Sequence, residues 1–259
     1  MFPDLCRHVL IAILFVTVAP LPLRADELKL TPGLALKEEF NDNIFLGTGN
    51  RQTDFVTTLT PSLDISSATE RRNVTLSTGI NWLNYSRNAG LDSVDYYAQG
   101  GFNYQFVPRL SLSAGAGYVR DSRPDRTGQN GLTLTSGSDR QNYQLSGNFA
   151  VSEKSTSTIS YVFSREDFDN SESVATTVHS VNVGQDYKLD RYLEQAKLVG
   201  NFGCSRNLTD ISLVDNYTVT VGLSKKIHEL WNVSLNAGGR YTHSEFDVNN
   251  STILDDDLG

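Results

Sequence analysis

The feature that most constrains this chain is a period-two alternation of apolar and polar residues, which recurs from Leu28 to Tyr241. Leu28, Leu30, Leu34, Leu36 and Phe40 share one phase, and Lys29, Thr31, Lys37 and Glu39 share the other. Successive side chains of a strand project to opposite sides, so each such segment makes a ribbon with one oily and one wet face. The pattern returns near residues 55–65, 74–82, 94–106, 110–118, 143–151, 159–163, 181–187, 196–202, 217–223 and 231–241. About eleven strands are expected, with no helical stretch among them.

The connections alternate as well. Residues 107–109, 152–155 and 189–191 read as short turns, whereas 41–53, 87–92, 121–139, 165–173 and 207–214 read as longer polar loops. Short turns at one end and long loops at the other is the layout of an outer-membrane barrel. The expected strands span about 10 to 14 residues, against the 5 to 6 usual in soluble sheets. Their wet phase is rich in Ser, Thr, Asn, Gln and Gly rather than Lys and Glu, as suits an enclosed polar interior. Aromatics gather near strand ends, where a membrane interface favours them. Phe102, Tyr104, Phe106, Tyr187 and Trp231 fall on the turn side, and Phe40, Phe55, Trp82, Tyr96, Tyr118, Phe163 and Tyr241 on the loop side. The predicted fold class is therefore all-β, an antiparallel up-and-down transmembrane β-barrel. A secreted soluble β-sandwich is the alternative, since aromatics also favour strands for packing reasons alone.

The N-terminal residues carry an address. An uninterrupted apolar run over 9–19 is broken by Pro20 and Pro22 and followed by Ala25, the order of a secretory signal peptide cleaved after residue 25. The run is about half of the roughly 20 residues a membrane helix needs. Residues 26–241 then carry the strands, and 242–259 read as a polar acidic tail. An eleventh strand would end on the loop side, whereas bacterial single-chain barrels normally have an even number of strands. The sequence thus reads as the front portion of a barrel of twelve or more strands, stopping in an extracellular loop.

Several function classes find no support. A net charge of -8 argues against a nucleic-acid partner. Cys6 lies in the signal segment, which leaves Cys204 alone and excludes a disulfide-stapled domain. His179, His228 and His243 are scattered without metal-ligand spacing. No Gly-x-Ser-x-Gly elbow is present, and Ala114-Gly115-Ala116-Gly117 sits on a strand rather than before a helix, so it is no phosphate cradle. Asp255-Asp256-Asp257 reads as a solvated tail, with calcium binding alongside Asp247 the lesser alternative. No catalytic residue, metal or cofactor is expected, and the chain is not read as an enzyme.

The candidate functional residues are charges in the wet phase: Lys29, Lys37, Glu39, Asp64, Asp95, Lys197 and Arg240. Charges lining a lumen tune selectivity, or else pair with one another and fix the shape of the barrel.

Glu38-Glu39-Phe40-Asn41-Asp42-Asn43-Ile44-Phe45, with Asp54-Phe55-Val56 and Leu59-Thr60-Pro61-Ser62-Leu63, resembles the start of the proteobacterial β-barrel porin 2 family. Relatives of that family accompany exopolysaccharide and exosortase (PEP-CTERM) systems. The resemblance covers residues 28–65 and implies a Gram-negative outer-membrane barrel, a passive porin-like channel or an accessory of polysaccharide export. It supplies no catalytic residues. The partners it implies are outer-membrane lipid and lipopolysaccharide, with polysaccharide or small polar solutes in the lumen. A non-conducting barrel that binds partners through its long loops is the competing expectation.

Overall fold

The structure is a computed structural model, and it describes residues 27–46, 51–123, 126–127, 133–134, 137–170, 173–190, 192–228, 231–248 and 251–259. The expected signal peptide lies outside these residues.

Among the described residues, fourteen strands follow one another: β1 (Glu27–Asn41), β2 (Asp54–Ala68), β3 (Arg72–Tyr85), β4 (Ser93–Val107), β5 (Leu110–Asp121), β6 (Arg126–Thr127), β7 (Thr133–Leu134), β8 (Ser138–Ser152), β9 (Ser155–Phe168), β10 (Thr176–Lys188), β11 (Ala196–Leu208), β12 (Ser212–His228), β13 (Trp231–Val248) and β14 (Ser251–Leu258). All but β6 and β7 join a single 12-stranded sheet in sequence order, and every pair is antiparallel. β6 and β7 pair with each other as a small ribbon in the loop after β5. The only helical element among the described residues is a 3-10 turn at Ala89–Leu91. The expected fold class, an all-β up-and-down antiparallel sheet, is the one that forms. β1 and β14 are its edges.

Three expectations are corrected. Residues 207–214 do not form a long loop, because β11 runs to Leu208 and β12 starts at Ser212. The Thr209 hydroxyl accepts the Ser212 N–H at 2.9 Å and closes a tight turn. Thr69 and Arg72 close the β2–β3 turn in the same way, at 3.0 Å. Conversely, the turn begun at Leu189 extends to Gln195, whose φ is 56°, and the Leu189 N–H reaches the Ala196 carbonyl at 2.8 Å. Long loops therefore mark one end of the sheet clearly only through β9. Finally, the acidic tail is a strand, with Tyr241 pairing with Leu258 and Val248 with Ser251.

The alternation sorts side chains as expected. Leu34, Trp82, Val221 and Leu235 stand on the apolar face at more than half exposure, and among the described residues no second layer packs on them. That arrangement is not a sandwich, in which two sheets bury their apolar faces together.

The other, polar face is the concave one. Arg123 follows β5, yet its guanidinium lies 3.5 Å from the Glu39 carboxylate on β1. Four strand spacings of ~4.8 Å separate β1 from β5. The two side chains span this separation across the polar face, as a sheet curled toward that side allows. Under this loop end Val56, Leu83 and Tyr85, all on the polar face, form a small buried cluster with Leu91 against it. Tyr97 lies on Gly79, where a Cβ would come within 2.6 Å of the ring.

Candidate functional site: the polar face and its aromatic rims

The aromatic residues on the outward face form two rows. On the loop side, ring contacts join Phe40 to Phe55 (centroids 5.0 Å apart), Tyr96 to Tyr118 (5.6 Å), Tyr143 to Phe163 (5.7 Å), Phe163 to His179 (5.0 Å) and Tyr217 to Tyr241 (6.2 Å). Tyr143, His179 and Tyr217 join the loop-side aromatics expected from the sequence.

This row does not follow the hydrogen-bond ladder. Phe55 pairs with Phe40, but Trp82 pairs with Leu59, further toward the turn side. Tyr96 pairs with Ile80, below Trp82, and Tyr118 pairs with Ala98, below Tyr96. Tyr143 pairs with Ala116, below Tyr118. Phe163 and His179 hold level, and Tyr217 then pairs with Cys204, the partner of Val181, which lies below His179. Every displacement runs in the same direction. Together they amount to about twelve residues over about ten strand-to-strand steps, or ~40 Å along the strands for ~48 Å across them. The strands are therefore inclined by about 40° to the perpendicular of that row, within the 35–45° of barrel walls.

The turn-side row repeats this drift. From Phe106 it passes through Phe149 and Tyr187 to Trp231, and Leu198, Leu223 and Leu235 trace the register between the last two. Tyr96 and Phe106 on β4, like Tyr241 and Trp231 on β13, are about ten residues apart. At ~3.3 Å per residue and this inclination, the rows stand about 25 Å apart, the height of the apolar band of outer-membrane barrels.

Beyond the loop-side row the outward face becomes charged. Arg120 holds Asp169 at 2.6 Å and Asp139 at 3.1 Å. Arg165 pairs with Asp167 at 2.7 Å, and Arg206 grips Asp215 through two hydrogen bonds of 2.8 and 2.7 Å. His243 meets Asp256 at 2.6 Å and Glu245 at 3.2 Å. These charges occupy the phase that is apolar lower on the same strands. That break in the alternation is visible in the sequence at Arg120, Arg206 and His243. It also accounts for the acidic tail: β14 pairs with Tyr241–Val248, from the row upward, where the outward face is charged rather than apolar. Alternation along β14 sends Asp256 to the opposite face from Asp255 and Asp257, so the three carboxylates do not converge.

All seven candidate charges lie on the polar face, but they are not gathered into one site. Lys37, Glu39, Asp95 and Arg240 sit near the loop-side rim, and Lys29, Asp64 and Lys197 near the turn-side rim. Four of them form ion pairs: Lys37 with Glu39, Lys197 with Asp186 at 2.8 Å, and Arg240 with Asp257 at 3.8 Å. Asp95 is 3% exposed and accepts the Ser122 N–H at 3.0 Å as well as its hydroxyl. Burial pushes its carboxyl up from the ordinary range, against the pull of these hydrogen bonds.

Asp54, which was not among the candidates, is the best-anchored polar residue at this rim. It is fully buried and accepts the N–H groups of Phe55 (2.8 Å), Arg87 (2.9 Å) and Asn88 (3.0 Å) and the Asn88 side-chain amide (2.7 Å). Burial alone would raise its pKa, but these donors hold it below the ordinary carboxylate range. It pins the β3–β4 loop to the start of β2.

No family model matches the chain, and no curated protein is detectably similar in sequence. Among solved structures, the fold is similar to OmpT, an outer membrane protein of Vibrio cholerae, with a TM-score of 0.44, 10% identity and coverage of 90% of this chain and 93% of that one. It is also similar to an outer membrane channel from Pseudomonas putida F1, with a TM-score of 0.38, 13% identity and coverage of 93% and 97%.

Proposed function

We propose that this protein is an outer-membrane β-barrel acting as a passive, porin-like channel. The observation that carries the reading is the pair of parallel aromatic rows, about 25 Å apart, enclosing an apolar outward face and inclined to the strands as barrel walls require. Hydrocarbon outside and water inside satisfy both faces at once, provided the sheet edges are paired within the membrane, because unpaired backbone groups cost several kcal/mol each in lipid. The paired charges above the loop-side row would stand at headgroup level, in contact with lipopolysaccharide. The rim charges shape the two mouths of the lumen and need no cofactor.

Folding the mature chain into phospholipid vesicles tests this. The reading expects a detergent-requiring, protease-protected sheet and stepwise conductance in planar bilayers. A monodisperse, water-soluble polypeptide without detergent would refute it.

A second reading, a non-conducting barrel with a surface-binding role, draws on one observation: the Arg123–Glu39 contact and the Val56, Leu83 and Tyr85 cluster occupy part of the loop-side mouth. Correct insertion with no measurable conductance would favour it. A role in exopolysaccharide export rests on the sequence resemblance over residues 28–65. Unchanged surface polysaccharide after deletion of the gene would remove that role.

A further inference from the structure

The charges on the polar face are confined to its two ends. On every strand that spans the distance between the aromatic rows, the charged inward residues lie within about three positions of a row or its continuation. Lys37, Glu39 and Arg240 crowd the loop-side row, and Asp64, Asp186 and Lys226 the turn-side row. Between them the polar face carries only uncharged residues, most of them amides, hydroxyls and glycines. Ser77, Gln99, Ser146, Asn182, Asn201 and Asn236 lie near mid-height on six different strands. Gln99, Asn182 and Asn236 are exposed, and among the described residues they hydrogen-bond to no other side chain.

An amide offers two donors and an acceptor with two lone pairs, and a hydroxyl offers one donor and two lone pairs. A belt of such groups exchanges hydrogen bonds evenly with a solute that is itself both donor and acceptor. It provides no fixed charge to replace the hydration of an ion, which selective ion pores provide with charged rings or convergent carbonyls. Free amides also leave that capacity unspent, since partnered ones would have to break a bond to engage a solute. We infer that the lumen of this channel serves uncharged polyhydroxylated solutes, of the chemical class of short saccharides and polyols, and discriminates little between cations and anions. The inference rests on the channel reading above and deepens it by naming the solute class.

The test uses the full mature chain reconstituted in phospholipid vesicles and planar bilayers. Liposome swelling is compared for glucose, gluconate and glucosamine, and the potassium-to-chloride permeability ratio is measured under a salt gradient. The expected result is glucose entry at least as fast as either charged analogue, and a permeability ratio within roughly twofold of unity. Asn182→Asp with Asn236→Asp then places carboxylates in the belt. An ion ~4 Å from one of them in water gains about a fivefold preference, so the double variant should become cation-selective by about that factor, and an unchanged permeability ratio would show that the belt does not line the permeation path. Swelling with strong wild-type selectivity, tenfold or more for either ion, or preferential entry of one charged analogue, overturns the solute class but leaves the channel standing. No swelling with any solute and no conductance overturns the channel and the inference together.

Discussion

Arg123 Nη2 lies 3.5 Å from Glu39 Oε2, although one residue follows β5 and the other belongs to β1. The contact is a strut across the concave face between elements that are not neighbours in the sheet. Glu39 also binds Lys37, so the strut ends on a carboxylate that the neighbouring lysine already orients.

Pairs this exposed contribute little to stability, and a double-mutant cycle on Arg123→Ala and Glu39→Gln should give a coupling of about 0.2–1 kcal/mol. On the proposed channel reading, the larger effect should be on the loop-side mouth. Arg123→Ala is expected to raise single-channel conductance, with Glu39→Gln giving the same change and the double variant adding nothing. Additive changes would show that the two residues act separately.

Asp54 should make the loop-side rim acid-sensitive. Because its pKa is lower in the folded state than in the unfolded chain, its contribution is present above the ordinary carboxylate range and is lost as pH falls through the depressed value. Protection of the Arg87 and Asn88 amides, relative to the unfolded-chain exchange rate at the same pH, should therefore fall at strongly acidic pH. Asp54→Asn should show fast exchange already at neutral pH, since a neutral amide offers one acceptor oxygen in place of two charged ones.

The attachment of β14 should depend on pH in the opposite sense. The imidazole of His243 is raised above its ordinary value, first by its hydrogen bond to Asp256 and then by Glu245, and Asp256 is lowered mainly by His243. The pair therefore stabilises β14 below the ordinary histidine range and loses this as pH rises through the raised value. It fails again when Asp256 is protonated, below the usual aspartate range. Exchange protection of residues 251–258 should be greater at about pH 5 than at pH 8. His243→Gln should erase that difference, and a difference that survives in the variant would place its origin elsewhere.

The two faces should respond unequally to a buried charge. Val221 and Leu235 lie near mid-height on the outward face of β12 and β13, both more than half exposed. Arginine at either position should cost about 2–4 kcal/mol in urea unfolding from vesicles, the penalty at a bilayer midplane. Thr220→Arg, one residue from Val221 on the polar face, should cost much less. Equal costs at Val221 and Thr220 would mean that both faces meet water.

Much of this architecture was legible because alternation is written residue by residue. The phase of Leu28 to Phe40, or of Trp231 to Tyr241, needs no knowledge of what lies beside it. Turn length is less legible, because a hydroxyl such as that of Thr209 or a left-handed residue such as Gln195 sets it. Asn207, Thr209, Asp210 and Ser212 make residues 207–214 read as a loop, yet the Thr209 hydroxyl turns the chain in three residues. The acidic tail looks unlike a strand because it lacks an apolar phase, which the outward face has already lost beyond Tyr241.

The sequence alone determined the fold class, the two faces and the approximate strand count, since these follow from local side-chain direction. Only the tertiary structure decided the register of each pair, and with it the drift of the aromatic rows, the confinement of charge to the rims, and the meeting of Arg123 with Glu39. Those features depend on which residue lies opposite which across separate segments of chain. No single segment encodes that choice, because sliding a strand by two positions preserves its alternation while moving every residue to a new height.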